Sequence, residues 1–244
     1  MTPDALSRTR MLLGAEAIEK LHRSRVALLG LGGVGGYAAE GLVRSGVGSL
    51  FLVDSDRFHE SNLNRQLAAT RETLGRLKTE VIRERILSID PDCRVEIRNV
   101  FFLPATKHQF DFSQFDFVID AVDTLTAKLT IIEEARRAGV PVISCMGTGN
   151  KLDPTQLKVS DLYETSVCPL ARVMRRECKK RGIDSLRVVW SAEEPLMPLP
   201  EYKTVEAETS GSSAPRRDIP GSAAFVPAAA GMILAAEAVK YLIQ

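Results

Sequence analysis

Residues 26–36 read VALLGLGGVGG, and few folds can use such a run. An apolar stretch (26–29) leads directly into glycines at Gly30, Gly32, Gly33 and Gly35, and residues 37–46 then carry a helical pattern. A strand, a glycine turn and a helix in succession form the context in which G-x-G-x-x-G marks a nucleotide site. Gly30 permits the tight turn, Gly32 lets backbone approach a phosphate or ribose, and Gly35 lets helix and strand pack closely, with Gly33 in the same turn. The helix start offers unpaired N–H groups and a partial positive charge to an anion. An acidic residue is expected about 20 residues on, at the end of the next strand. The apolar run 49–53 is that strand, and Asp54 closes it with a carboxylate suited to ribose hydroxyls. The same turn with no ligand is the plainer alternative.

The remaining pattern extends this unit into a sheet. Helical periodicity is expected over 4–22 and about 74–89, and from 124 to 138. Strands are expected at 94–99, 115–121 and 142–145, with a connector or short helix at 104–114. Strands alternating with helices predict an α/β fold: a Rossmann-like, doubly wound, mainly parallel sheet with right-handed crossovers. After Gly147 the pattern changes. Segments 156–159 and 187–191 read as short antiparallel strands at the C-terminal edge, and 172–181 as a basic helix. Residues 194–222, rich in Pro, Ser, Thr, Gly and charge, read as a mobile crossover loop. The chain is expected to be one domain over 1–244, with a nucleotide half at about 1–150 and a substrate-facing half at about 151–244.

With 45% hydrophobic and 26% charged residues, this is an ordinary globular composition. The net charge of +1 excludes a global basic field, so any nucleic-acid site must be a local patch. Cys93, Cys145, Cys168 and Cys178 form no C-x-x-C pair, so no zinc is expected, and idle thiols in a reducing compartment are. No apolar stretch follows the charged opening residues, and no targeting segment is expected there. The apolar segment 225–243 contains Pro227, Glu237 and Lys240 and reads as a packed core helix rather than a membrane span. A cytoplasmic protein with no obligate membrane partner follows, with peripheral membrane contact left open.

The connector after Asp54 and Asp56 holds NLNRQ at 62–66, Lys78 starts the next helical stretch, and Asp123 follows a buried strand. A dehydrogenase needs none of these. Together with the glycine turn they resemble the ubiquitin-activating-type adenylating family, which includes the ThiF and molybdopterin-synthase adenylyltransferases, over roughly residues 5–160. The resemblance implies ATP and Mg²⁺, and a homodimer. In it, Asp54 holds the ribose, Asn62, Arg65 and Lys78 hold the triphosphate, and Asp123 binds Mg²⁺. Asp56 and Gln66 join that nucleotide set, and Arg8 reaches the ATP phosphates of the partner subunit. A monovalent cation is left open. The chemistry suits these types: Arg, Lys and Mg²⁺ neutralise crowded negative charge while an already ionised carboxylate attacks the α-phosphate. Each residue also has a plainer reading: Asn62 and Asp123 as helix caps, and Arg65 and Lys78 as solvated charges.

Two features single out a branch. Zinc cysteine pairs are missing, and Cys168 and Cys178 stand in no evident setting beside an acyl-adenylate. The stretches RTRMLLG (8–14), DPTQ (153–156), PLAR (169–172) and PGSAAFVP (220–227) extend over nearly the whole chain and resemble the tRNA threonylcarbamoyladenosine dehydratases. That resemblance implies ATP-dependent dehydration (cyclisation) of threonylcarbamoyladenosine in tRNA through a carboxyl-adenylate, with the nucleophile supplied by the substrate. It leaves a sulfur-relay protein partner open. The alternatives are adenylation of a ubiquitin-like sulfur carrier and a catalytically silent dimeric scaffold. Arg172, Arg175, Arg176, Lys179, Lys180 and Arg181 place six cations within ten residues against Glu177 alone. Such clusters supply phosphate affinity, and here they are the expected tRNA contacts, joined by Arg216 and Arg217; a solvated helix face is the plainer reading.

Overall fold

In the computed structural model, which describes residues 5–199, 201 and 220–244, the strands are β1 (Arg25–Leu29), β2 (Ser49–Val53), β3 (Arg94–Arg98), β4 (Phe117–Asp120), β5 (Val142–Cys145), β6 (Leu157–Asp161) and β7 (Arg187–Ser191). They form one sheet in the order β3-β2-β1-β4-β5-β7-β6. The helices are α1 (Ser7–Leu13), α2 (Ala15–Arg23), α3 (Gly35–Arg44), α4 (Lys78–Ile89), α5 (Leu125–Ala138), α6 (Pro169–Lys180) and α7 (Phe225–Leu242). Strand order reverses between β1 and β4, where Leu29 lies beside Asp120 in parallel register. Such a reversal opens a crevice beyond the carboxyl ends of the strands, where ligands of doubly wound sheets bind.

The inner strands are short apolar runs because both faces are covered. Val26, Leu28, Leu50, Leu52 and Ile119 share one core with α3, α4 and α7. Phe51, Phe102, Phe112, Phe115 and Val118 form a second core on the other face, against α5. Burying each such aliphatic side chain contributes about 1.5–3 kcal/mol. The apolar C-terminal helix α7 is a core helix, as its sequence suggests. It has the length and composition of a membrane span, yet half of it is buried in the protein. Its approach to α3 is close enough to require glycine. A Cβ on Gly41 would meet Ala235 Cβ at 2.7 Å, and one on Gly231 would meet the Val34 carbonyl oxygen at 2.2 Å.

Several elements differ from their sequence expectation. The single helix expected over 4–22 is two helices, because Gly14 takes φ +85° and ψ 167°, a backbone geometry that glycine adopts without strain. The helix expected from 74 starts at Lys78. Leu77 is extended and bridges Arg57, and Gly75 turns at φ +79° just before it. Segment 104–114 makes two 3-10 turns, Lys107–Gln109 and Phe112–Gln114. The two C-terminal strands expected to be antiparallel at the edge are so, β6 against β7, and the added detail is that β7 joins the rest of the sheet in parallel with β5. Most of the loop expected at 194–222, with Arg216 and Arg217, lies outside the described residues.

Candidate active site

The glycine turn is held from both sides by main chain. Gly30 sits at φ +90°, its N–H donates to the Val53 carbonyl at 2.8 Å, and a Cβ there would lie 2.7 Å from the Ala121 carbonyl carbon. A Cβ on Gly35 would lie 1.8 Å from the Gly30 carbonyl oxygen, so α3 can start directly against the end of β1 only with glycine there. Gly32 and Gly33 face the crevice instead.

One cavity of about 650 Å³ opens over this turn. It brings together Gly30, Gly32, Gly33, Asp54, Asp56 and Asn62, with Arg65, Gln66, Lys78 and Asp123 on the same wall set. Gly35 stays behind the turn as a packing residue, and Arg8 stands apart on α1, a helix with no buried residue in its own protomer. Arg8 is therefore not brought to the cavity of its own chain.

Asp54 is anchored by backbone. Its Oδ2 accepts from Leu31 N at 2.6 Å and its Oδ1 from Asp56 N at 2.8 Å. Each carboxylate oxygen retains acceptor capacity for a hydroxyl. Burial pushes the Asp54 pKa up, while Lys78 and the two N–H groups pull the other way. Lys78 is buried at the start of α4, and its Nζ meets Asp56 Oδ2 at 2.9 Å. Asn62 Oδ1 accepts from His59 N at 3.1 Å, so it does cap the 3-10 turn Glu60–Asn62. Arg65 donates through one guanidinium nitrogen to Ser61 O and Asn64 Oδ1. Among the described residues Gln66 Oε1 is a buried polar atom with no partner. Asp123 is exposed at the mouth and, among the described residues, is bonded only to the neighbouring Thr124 hydroxyl.

The far wall was not legible in the sequence. It comprises the segment after β5 (146–151), Pro220, Ser222 and Pro227, and the first residues of α6. Asn64 Nδ2 donates to Ser222 O at 2.8 Å, tying the NLNRQ connector to the start of α7. Lys151 is buried, with Nζ on the Ser191 and Glu193 carbonyls at 3.1 and 3.0 Å, and burial lowers its pKa. Cys168, which its sequence setting does not place beside an acyl-adenylate, is buried in this wall at the N-terminal end of α6. Burial pushes the Cys93 and Cys145 thiols up to about 12 and Cys178 to about 11, which keeps those three protonated. The glycines at 147 and 149, directly after a buried strand, were the signal that could have placed this segment at the cavity.

The cations of α6 lie outside the cavity and are unequal. Arg175 donates to the Thr165 carbonyl at 2.8 Å and to its hydroxyl, which makes it a clamp on the preceding loop. Arg176, Lys180 and Arg181 all bond Glu177, and Arg181 also meets Glu133 at 3.0 Å. Lys180 and Arg181 hold the Glu177 pKa down to about 2. Arg172 and Lys179 are exposed.

The ThiF family model matches residues 6–244. The tRNA threonylcarbamoyladenosine dehydratase of Bacillus subtilis is 38% identical over 98% of this chain and 94% of its own length. The crystal structure of the Escherichia coli tRNA N6-threonylcarbamoyladenosine dehydratase, TcdA, in complex with AMP superposes with a TM-score of 0.86 at 31% identity, covering 98% of this chain and 94% of that one. Its complex with ATP gives 0.85 with the same coverage.

Proposed function

The chain belongs to the ThiF family, and from that premise we propose that it is an ATP-dependent tRNA threonylcarbamoyladenosine dehydratase. The observation that carries the reading is a single cavity that runs from the glycine turn and Asp54 to the first residues of the basic helix α6. Nucleotide and modified nucleoside can meet there.

The cavity fits a nucleotide. The backbone at Gly32 leaves room where a side chain would stand, since a Cβ there would come no nearer than 3.7 Å to Gln66 Nε2, and the buried Gln66 Oε1 awaits a donor such as a hydroxyl or amine. Asp54 takes the ribose hydroxyls. Asn62, Arg65 and Lys78 hold the phosphates, and Lys78 is already oriented by Asp56. Mg²⁺ typically binds one or two carboxylates plus phosphate oxygens and water, and the exposed Asp123 carboxylate suits that role; when bound, the ion neutralises phosphate charge. The carboxylate of the threonylcarbamoyl group attacks the α-phosphorus, and the bond to pyrophosphate breaks. The resulting carboxyl-adenylate is attacked by the carbamoyl side of the same substrate. AMP leaves, a proton is released, and the modified adenosine has lost one water. No protein thiol takes part.

A second copy completes the assembly. The exposed Met11 and Leu12 on α1, beside Arg8, are the surface for it, and Arg8 then meets the partner's nucleotide. Arg172 and Lys179 lead the tRNA contacts. The enzyme is cytoplasmic, and docking of a sulfur-relay protein is not required by the reaction. The test is one incubation with ATP, Mg²⁺ and tRNA carrying threonylcarbamoyladenosine, followed by mass spectrometry of the digested nucleosides. Loss of one water with AMP formed supports the reading. AMP formed only with a small carrier protein overturns it in favour of sulfur-carrier activation, and ATP binding without turnover favours a scaffold.

A further inference from the structure

Behind the cavity floor lies a side-chain cluster that the reaction above does not use. Lys128 Nζ meets Asp120 Oδ2 at 3.0 Å and Ser144 Oγ at 3.4 Å, and Ser144 Oγ donates to the same carboxylate oxygen at 2.5 Å. Lys128 is 1% exposed, and Asp120 and Ser144 are both at 0%. A fully buried ion pair is weak evidence of stabilisation, since desolvation offsets most of the attraction and an apolar pair often serves as well. Its placement gives it another use.

Asp120 ends β4 at the point where strand order reverses, in register with Leu29 on one side and Ser144 on the other. Its second oxygen accepts from Val122 N at 3.2 Å, and Ala121 N donates to Leu29 O at 2.8 Å. Residues 121 and 122 are the backbone against which Gly30 is packed with no room for a Cβ. Asp123 is the next residue, and α5, which carries Lys128, starts two residues later. Lys128 N donates to the Thr124 carbonyl, so the same residue closes the first turn of α5 through its main chain. The cluster thus joins the ends of β4 and β5 to α5 and spans the base of the 121–123 segment.

We propose that Lys128, acting through Asp120 and Ser144, is a positioning residue for adenylation: it holds the 121–123 backbone so that Asp123 and the wall against Gly30 keep their places. The proposal rests on the adenylating reading of the cavity. It assigns the Lys five residues after Asp123 a role beneath the cavity floor, without contact to substrate.

The test uses the full-length protein and two variants. Asp120→Asn/Lys128→Met removes both buried charges together, so no lone charge is left, and keeps an acceptor for Val122 N. Ser144→Ala leaves the ion pair and removes one donor. Each is read by thermal melting, by ATP binding in EDTA, by Mn²⁺ binding to the ATP complex followed by electron paramagnetic resonance, and by kcat and KM for modified tRNA. For the double variant the expected result is a preserved melting transition and metal-free ATP affinity within about threefold of the parent. Mn²⁺ affinity and kcat should each fall about tenfold or more, with KM for tRNA unchanged. Ser144→Ala should move Mn²⁺ affinity in the same direction by about threefold. A folded double variant with parental Mn²⁺ affinity and kcat overturns the proposal; should the double variant not fold, an unchanged Mn²⁺ affinity in Ser144→Ala does so. Failure of the adenylating reading appears separately, as an unsubstituted protein that forms no AMP.

Discussion

The two charged regions of this protein are built in opposite ways. Around the glycine turn three charges have fixed seats: Asp54 on two main-chain N–H groups, Lys78 on Asp56, and Lys128 sealed with Asp120. On and just after α6 most of the cations are exposed, Arg175 excepted, and several share Glu177. A buried charge keeps one geometry because leaving its partner uncovers a large desolvation cost, whereas exposed pairs contribute about 0–1 kcal/mol and rearrange freely. The first arrangement suits chemistry, which requires fixed distances. The second suits the capture of a polyanion whose phosphates arrive in many registers.

The comparison breaks most visibly at Asp123. Asp123→Ala should lower AMP formation by ~10²–10³-fold while the melting temperature hardly moves, because the side chain is exposed; a stopped assay for AMP beside a melting curve checks both. Gly35→Ala comes next. Its Cβ would collide with the Gly30 carbonyl, so a loss of ~2–3 kcal/mol of stability is expected, together with weakened ATP binding, measured by urea unfolding and calorimetry.

Arg172→Glu with Lys179→Glu should sharpen the contrast from the other side. Affinity for tRNA should fall about tenfold at moderate salt and its salt dependence should flatten by roughly one phosphate contact per residue, with ATP affinity unchanged. A drop in ATP affinity would show that the two regions are not independent. Glu177→Gln should release three cations and raise tRNA affinity by about two- to threefold, seen by filter binding across a salt series. The smallest effect belongs to Cys168→Ala. Turnover should stay within about twofold although the thiol lies in the cavity wall, and loss of all activity would show that a protein nucleophile takes part.

The nucleotide half was largely legible because its determinants are local. Gly35 is required by the nearby Gly30 carbonyl, and Asp54 follows its strand at the usual interval, so spacing located them, whereas the Ala121 backbone that closes on Gly30 is brought there only by folding. The helix break at Gly14 and the late start of α4 were missed because periodicity registers side-chain faces and not a backbone turning at positive φ. The parallel pairing of β7 with β5 depends on where the chain re-enters the sheet after α6, which apolar alternation does not encode. The far wall of the cavity was missed for a similar reason. The 220–227 stretch, the 146–151 segment and Cys168 lie apart in the chain and meet only after folding.

The basic helix shows where reading of residue types stops. Six cations near one another in sequence looked equivalent, yet Arg175 is committed to Thr165 and three others to Glu177. Charge counts are additive along a chain; partners are assigned by which side chains reach one another.

Residue order on its own determined the α/β architecture and the glycine turn, because each follows from local periodicity and spacing, and its motifs supplied the residues expected for adenylation through their resemblance to a family. Folding in three dimensions determined which of those residues share a cavity, that Arg8 stays outside its own chain's cavity, and that Lys128, unremarked in sequence, lies sealed beneath Asp123 with Asp120 and Ser144. Those outcomes depend on distance between segments far apart in the chain, and distance of that kind is created only when the sheet closes over its two cores.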